Sequence, residues 1–400
     1  YSWLLNFQIF NDQYKRRYDA SKQYDENDIF IFFDPTWRHP DYPDGLAFFD
    51  TKHNCAAILG MSYFGEIKKG TLTLAWATAA RNNYVSCHGG LKIFRKEGAS
   101  YVASFFGLSG SGKSTLTHAK HDDKYDIEVL HDDAFVISVE DGSSVALEPS
   151  YFDKTNDYPA GHREQDYFVT VQNCGVTLDE NGRKVLVTED IRNGNGRTVK
   201  SRYSTPNRVD KISEPIQSIF WIMKDDALPP LVKITDPRLA SILGCTLMTK
   251  RSNAENTGAG ANLDALVIEP YANPFRVYPL VEDYDKFKAL FDKGVDCYII
   301  NTGDFLGKKV TKEVSLGVIE TVVDGKANFE LFGGLPGMEY LPVEGYEVPE
   351  MNGDYAALIR DRMQFRLDYL KAFNDANPEH PIPTDALESI KTIERFIDVL

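Results

Sequence analysis

Short apolar runs punctuate the first three quarters of the chain. Residues 29–33, 56–59, 101–106, 127–130, 135–139, 218–223 and 295–300 carry β-branched or aromatic side chains and stop near Gly, Asp, Asn or Pro. Each is predicted as a strand. The pattern changes near the end, where residues 355–373 and 386–399 place apolar side chains at three- and four-residue spacings, as helices do. Asn352-Gly353-Asp354 supplies a start for the first helix, with Asp354 as its capping side chain. Strand-length and helix-length segments on one chain without internal repeats predict a mixed α/β (α+β) fold. The pair Gly89-Gly90 sets a boundary between an N-terminal domain, 1–90, and a second domain, 91–400, that ends in the helices of 352–400. The polar, glycine-bearing stretch 249–262 reads either as a lid that moves or as an idle surface loop.

Composition narrows the partners. Four hundred residues are enough for more than one buried core, and 42% apolar with 26% charged residues is ordinary for a globular chain. A net charge of −15 argues against coating nucleic acid or an anionic membrane, and leaves room for a local basic pocket that takes phosphates or carboxylates. No apolar run approaches the ~20 residues that span a bilayer. No secretory leader is read at the start, and Cys55, Cys87, Cys174, Cys245 and Cys297 are dispersed without a CxxC pair. Reduced thiols and a cytoplasmic location are the expectation. The oligomeric state is not legible.

The chemistry begins where the run 101–106 ends. Gly107, Leu108, Ser109, Gly110, Ser111, Gly112, Lys113, Ser114 and Thr115 form a Gly-x-x-x-x-Gly-Lys-Ser loop. Its glycines allow backbone N–H groups to curl around a phosphate chain, Lys113 supplies a charge for the β- and γ-phosphates, and the Ser114 hydroxyl suits a metal. From Leu116 onward a helix is expected, its amino end adding positive potential. These residues predict a P-loop for a nucleoside triphosphate. About twenty residues past Lys113 the strand 126–130 delivers His131-Asp132-Asp133. Paired carboxylates beside a triphosphate suit hard cations, Mg²⁺ or Mn²⁺. Upstream, Tyr63-Phe-Gly-Glu-Ile-Lys-Lys-Gly70 and Ser86-Cys-His-Gly-Gly90 show no chemistry by spacing alone.

Together these segments resemble the ATP-dependent phosphoenolpyruvate carboxykinases. That family carries Tyr-x-Gly-Glu-Met-Lys-Lys-Gly, a Met-His-Cys-type histidine, Gly-Leu-Ser-Gly-Thr-Gly-Lys-Thr-Thr and Gly-Asp-Asp; here Ile67, Ser111 and Ser114 are mild replacements. The resemblance continues through 147–155, 201–206, 228–230, 273–275 and 300–303, and spans roughly 45–320. It implies a two-lobed fold with a P-loop domain. The implied activity converts oxaloacetate and ATP to phosphoenolpyruvate, CO₂ and ADP through a metal-stabilised enolate. The resemblance further implies Mn²⁺ on Lys69, His88 and Asp133, and a second metal, Mg²⁺, at Ser114 and Asp132. Lys68 would meet the substrate, Tyr63 would lie against it near the departing CO₂, and Arg202 would grip the transferring phosphoryl group. Glu148 would lie near the phosphates, and Asn301, Thr302 and Lys309 would wall the adenine. The segment 249–262 would be the lid. One family feature has no match: no Arg-Ser-Pro-x-Asp-Lys segment, which supplies a carboxylate-binding arginine, precedes Tyr63. Two other readings therefore stand beside the first: a kinase on the same scaffold for another small-molecule or protein acceptor, and a nucleotide-binding module without catalysis.

Overall fold

A computed structural model describes the chain except residues 1, 8–11, 156–157, 159–160, 163–164, 166–173, 189–195, 202–206 and 251–264. The described residues are mixed α and β, as the apolar pattern predicts, and form two compact units. The first unit takes 1–75 and 146–210, the second 76–145 and 211–400. The chain thus does not divide near residue 90. Gly89 instead joins the consecutive strands Tyr84–His88 and Gly90–Lys96, both in the second unit.

In the first unit, strand Cys55–Leu59 lies between Phe30–Asp34, to which it is parallel, and Leu46–Asp50, to which it is antiparallel. Ala56 and Ile58 are buried, and a side chain on Gly70 of helix Phe64–Arg81 would press on Ile58, so the helix packs closely there. Farther along, Ser150–Lys154 pairs antiparallel with Arg197–Ser201.

In the second unit, a sheet of eight described strands has the order Glu330–Leu331, Met338–Tyr340, Leu231–Ile234, Asp296–Asn301, Ser218–Met223, Ala99–Phe106, Gly90–Lys96, Asp126–His131. Ser218–Met223 runs parallel to both neighbours, so three adjacent strands end on one edge. These three are nearly continuous apolar runs because both their faces are covered. Phe105, Phe220, Ile222 and Ile300 are buried in one core with Val318, Ile319 and Val322 of helix Lys312–Val323. A second, antiparallel sheet carries Tyr84–His88 beside Ala134–Ser138. Helix Gly353–Ala376 begins after Asn352 at the capping position; Asp354 sits within the first turn and does not cap. Helix Thr384–Asp398 follows, with an apolar face of Ile390, Ile393 and Ile397. All five cysteines are free, four of them buried. Among the described residues no helix is long and apolar enough to cross a membrane.

Candidate active site

In open parallel sheets, ligands bind beyond the carboxyl ends of the strands. Here the three parallel strands run out into Gly107, Lys224 and Thr302. Gly107 has no room for a side chain: a Cβ would sit 2.9 Å from Cβ of Ile222 and closer still to the Ser111 hydroxyl. Gly110 and Gly112 adopt φ of 73° and 99°, the left-handed region where a Cβ is strained. Neighbouring strands fasten the loop. The Thr302 hydroxyl donates to the Ser111 carbonyl at 2.7 Å, and the Lys224 ammonium donates to the Gly110 carbonyl at 2.7 Å. Lys309 donates to the Thr302 carbonyl at 3.1 Å. Lys224 carried no motif and is invisible to sequence reasoning; only strand order brings it to the loop.

The helix after the loop starts at Lys113, three residues before the expected Leu116, and is six residues long. Its first residue, Lys113, is half-buried, while Ser114 and Thr115 are exposed. Gly90 explains why the helix lies so close to the sheet, since a Cβ there would collide with the Thr117 side chain.

Strand Asp126–His131 ends in the turn that holds both candidate carboxylates. Buried His131 pins this turn, its Nδ1 accepting from the backbone N–H groups of Asp133 and Ala134 at 3.0 Å each. Asp132 then reaches back to Nε2 of His118 at 3.0 Å, at the end of the phosphate-loop helix. Asp133 reaches the other way. Antiparallel pairing sets His88 opposite Ala134, so the His88 ring lies beside Asp133, with Nε2 3.0 Å from Oδ1.

The His88 ring is oriented by its other nitrogen, which donates to the Ala272 carbonyl at 2.5 Å. A neutral imidazole has one N–H, and Ala272 takes it. Nε2 then turns a lone pair toward a carboxylate oxygen, which is favourable only with a proton or a cation between them. A backbone carbonyl on the far nitrogen is the usual way a metal-binding histidine is held. His88 and Asp133 therefore fit a divalent cation. Among the described residues no three His, Cys, Asp or Glu converge, so such an ion needs further ligands of another kind. Neighbouring Cys87 is not one: burial pushes its thiol well up and keeps it protonated.

In the first unit, two other candidates meet. The Lys68 ammonium lies 3.3 Å from the Glu148 carboxylate, with side chains 3% and 0% exposed, and the Asn6 amide donates to the same carboxylate at 2.5 Å. The Phe152 ring lies 5.9 Å from the Lys68 ammonium and 6.2 Å from the ring of half-exposed Tyr63. Lys69 is half-buried one residue on. Arg202 lies outside the described residues, as does the lid candidate apart from Thr249 and Lys250, which end a strand paired with Leu266–Ile268.

Asn301 cannot face a nucleotide directly. It is fully buried, its amide donates to the carbonyls of Asp225, Leu228 and Asp304, and its Oδ1 accepts from Gly303 N–H. Its role is to shape the loop that carries Thr302.

A family model described as Phosphoenolpyruvate carboxykinase matches residues 18–351. Phosphoenolpyruvate carboxykinase (ATP) of Aeropyrum pernix is 25% identical over 363 residues, covering 82% of this chain and 70% of that protein. The glycosomal phosphoenolpyruvate carboxykinase (ATP) of Trypanosoma brucei brucei is 24% identical over 305 residues, covering 69% of this chain and 60% of that protein.

Proposed function

The chain belongs to the ATP-dependent phosphoenolpyruvate carboxykinase family and is an enzyme of that class; on that premise we propose that it converts oxaloacetate and ATP to phosphoenolpyruvate, CO₂ and ADP. The observation that carries the reading is the pairing, within one unit, of a glycine loop at the end of Ala99–Phe106 with the His88–Asp133 couple. A simple nucleotide sensor needs the loop and not the couple.

The loop N–H groups and Lys113 cradle the triphosphate, and Thr302 and Lys224 hold the loop in shape before ATP arrives. Donors fixed in advance cost no reorganisation when charge moves during transfer. Ser114 and Asp132 would hold Mg²⁺ on the phosphates, with His118 fixing the Asp132 rotamer. His88 and Asp133 would hold Mn²⁺, with the histidine ring oriented by its bond to Ala272. A divalent ion at that position supplies Lewis acidity for negative charge developing on an oxygen. For Tyr63, Lys68, Lys69 and Arg202 the proposed roles are those the family resemblance implies. Glu148 lies against Lys68 as a counter-charge to its buried ammonium.

The test is a coupled assay of the purified chain with oxaloacetate, ATP, Mg²⁺ and Mn²⁺, scored for phosphoenolpyruvate. Mn²⁺-dependent product supports the reading. ATP binding without product overturns it in favour of a kinase for another acceptor.

A further inference from the structure

One buried charge in the second unit is used by nothing described so far. Lys92 lies on strand Gly90–Lys96, on the face where Gly90 admits the phosphate-loop helix, and is 0% exposed. An ammonium has three N–H donors, and each has a partner. Lys92 donates to the Leu116 carbonyl at 2.7 Å, to the Ala119 carbonyl at 3.1 Å and to Nε2 of His121 at 3.0 Å. The Phe94 ring lies 4.6 Å away, close enough for a cation–π contact. His121 is oriented in turn by Glu320 of helix Lys312–Val323, whose carboxylate lies 2.9 Å from its Nδ1.

With Lys92 charged, the proton wiring is set. Nδ1–H of His121 donates to the Glu320 carboxylate, which leaves Nε2 as the acceptor for Lys92. Two of the three ammonium bonds end on the last turn and the exit of the helix that follows the phosphate loop. A six-residue helix has little stability of its own, so its position depends on what holds it. Gly90 sets its distance from the sheet, and Lys92 ties down its carboxyl end.

We propose that Lys92 is a positioning residue for ATP, holding the phosphate-loop helix by its terminal carbonyls, with His121 and Glu320 fixing the ammonium from behind. The proposal rests on the reading of residues 107–115 as the ATP site. It differs from a plain structural role in one respect: the full set of three donated bonds exists only while Lys92 is charged. Burial lowers its pKa to about 7, while Glu320 pulls it back up. Burial, and next the Lys92 charge, lower His121 to about 4, so His121 stays neutral and accepting throughout. Farther out, Lys124 pairs with Glu320 and Asp324 and leaves the Glu320 charge in place. As pH rises through about 7 the ammonium discharges, one donor is lost, and the hold on the helix weakens.

The experiment is calorimetric titration of the full chain with ATP and Mg²⁺ from pH 6 to 9, for wild type, Lys92→Met and Glu320→Gln. Taking the ratio of variant to wild-type Kd at each pH cancels the titration of ATP itself. For Lys92→Met the expected ratio is about tenfold at pH 6, the scale of one charge-assisted hydrogen bond, and it falls toward one by pH 9. Oxaloacetate KM stays unchanged. Glu320→Gln removes the charge that supports the ammonium, so its wild-type-like affinity at low pH is lost at a lower pH than in wild type. A ratio for Lys92→Met that is flat with pH, or equal losses for ATP and oxaloacetate, would overturn the proposal and leave Lys92 structural. If Lys92→Met does not fold, an unmoved pH midpoint in Glu320→Gln overturns it equally. Wild type that binds no ATP at any pH would instead sink the ATP-site reading beneath it.

Discussion

The Lys68–Glu148 pair makes the sharpest stability prediction, because both charges are out of water. At 3.3 Å and an effective dielectric constant of about 20, the attraction is about 5 kcal/mol. Desolvation of both groups offsets most of this, so the intact pair adds little net stability. Removing one partner is another matter, since the remaining charge stays buried with its counter-charge gone. Glu148→Gln keeps shape, removes the charge and sets an N–H donor where a carboxylate oxygen faced the donors of Asn6 and Lys68, and its expected cost is about 3–5 kcal/mol. For a unit of this size that lowers Tm by roughly 10 °C. The double variant Lys68→Met/Glu148→Gln should be more stable than Glu148→Gln alone, because it buries no orphan ion. Differential scanning calorimetry gives the Tm, and chemical denaturation provides the free energies of the cycle. If Glu148→Gln lies within about 1 kcal/mol of wild type, or the double variant is the weakest of the set, the buried-pair argument fails.

Other consequences are testable on the same material. Lys113→Ala should reduce ATP affinity at least about a hundredfold, as loss of the phosphate-facing charge requires, and an active variant would remove the phosphate-loop assignment. His88→Gln should raise the Mn²⁺ concentration needed for half-maximal activity by about 10–100-fold while leaving ATP affinity within about threefold, measured by calorimetry. His121 makes a stability prediction in acid. Its folded pKa of about 4 lies below the ordinary 6.5, so between those values the unfolded chain binds the extra proton. Stability is therefore full above pH 6.5 and falls as pH drops toward 4, by roughly 3 kcal/mol. His121→Phe should flatten that part of the profile, read as the change in urea midpoint between pH 7.5 and 4.5; an unchanged slope would show that other groups carry the acid sensitivity.

What the sequence displayed follows from how local each feature is. The strands at 101–106, 218–223 and 295–300 were legible because burial on both faces makes a strand apolar from end to end. The loop conformation of 107–112 was legible because its glycines answer a backbone demand that acts over a few residues, as the positive φ of Gly110 and Gly112 shows. Asn301 shows the limit. Its side chain resembles a pocket residue by position, yet three carbonyls brought near by other loops consume its amide. Lys92 shows the same limit in reverse: alone in an apolar strand it reads as an ordinary surface cation. Its carbonyl partners lie about 25 residues on and Glu320 lies more than 200 away, so nothing local distinguishes it.

The division of the chain was the least legible feature, and its cause is physical. Residues 146–210 return to join 1–75, and this long-range association leaves no periodic mark on either segment. One visible consequence is Glu148, which the chain delivers to Lys68 from eighty positions farther along. Within its own unit Glu148 lies at the ammonium of Lys68; its place near the phosphates is what the family resemblance implies. Asp132 and Asp133 each lie against a histidine and Glu148 against a lysine, and in every pair the partner comes from a separate segment of the chain, which no local spacing records.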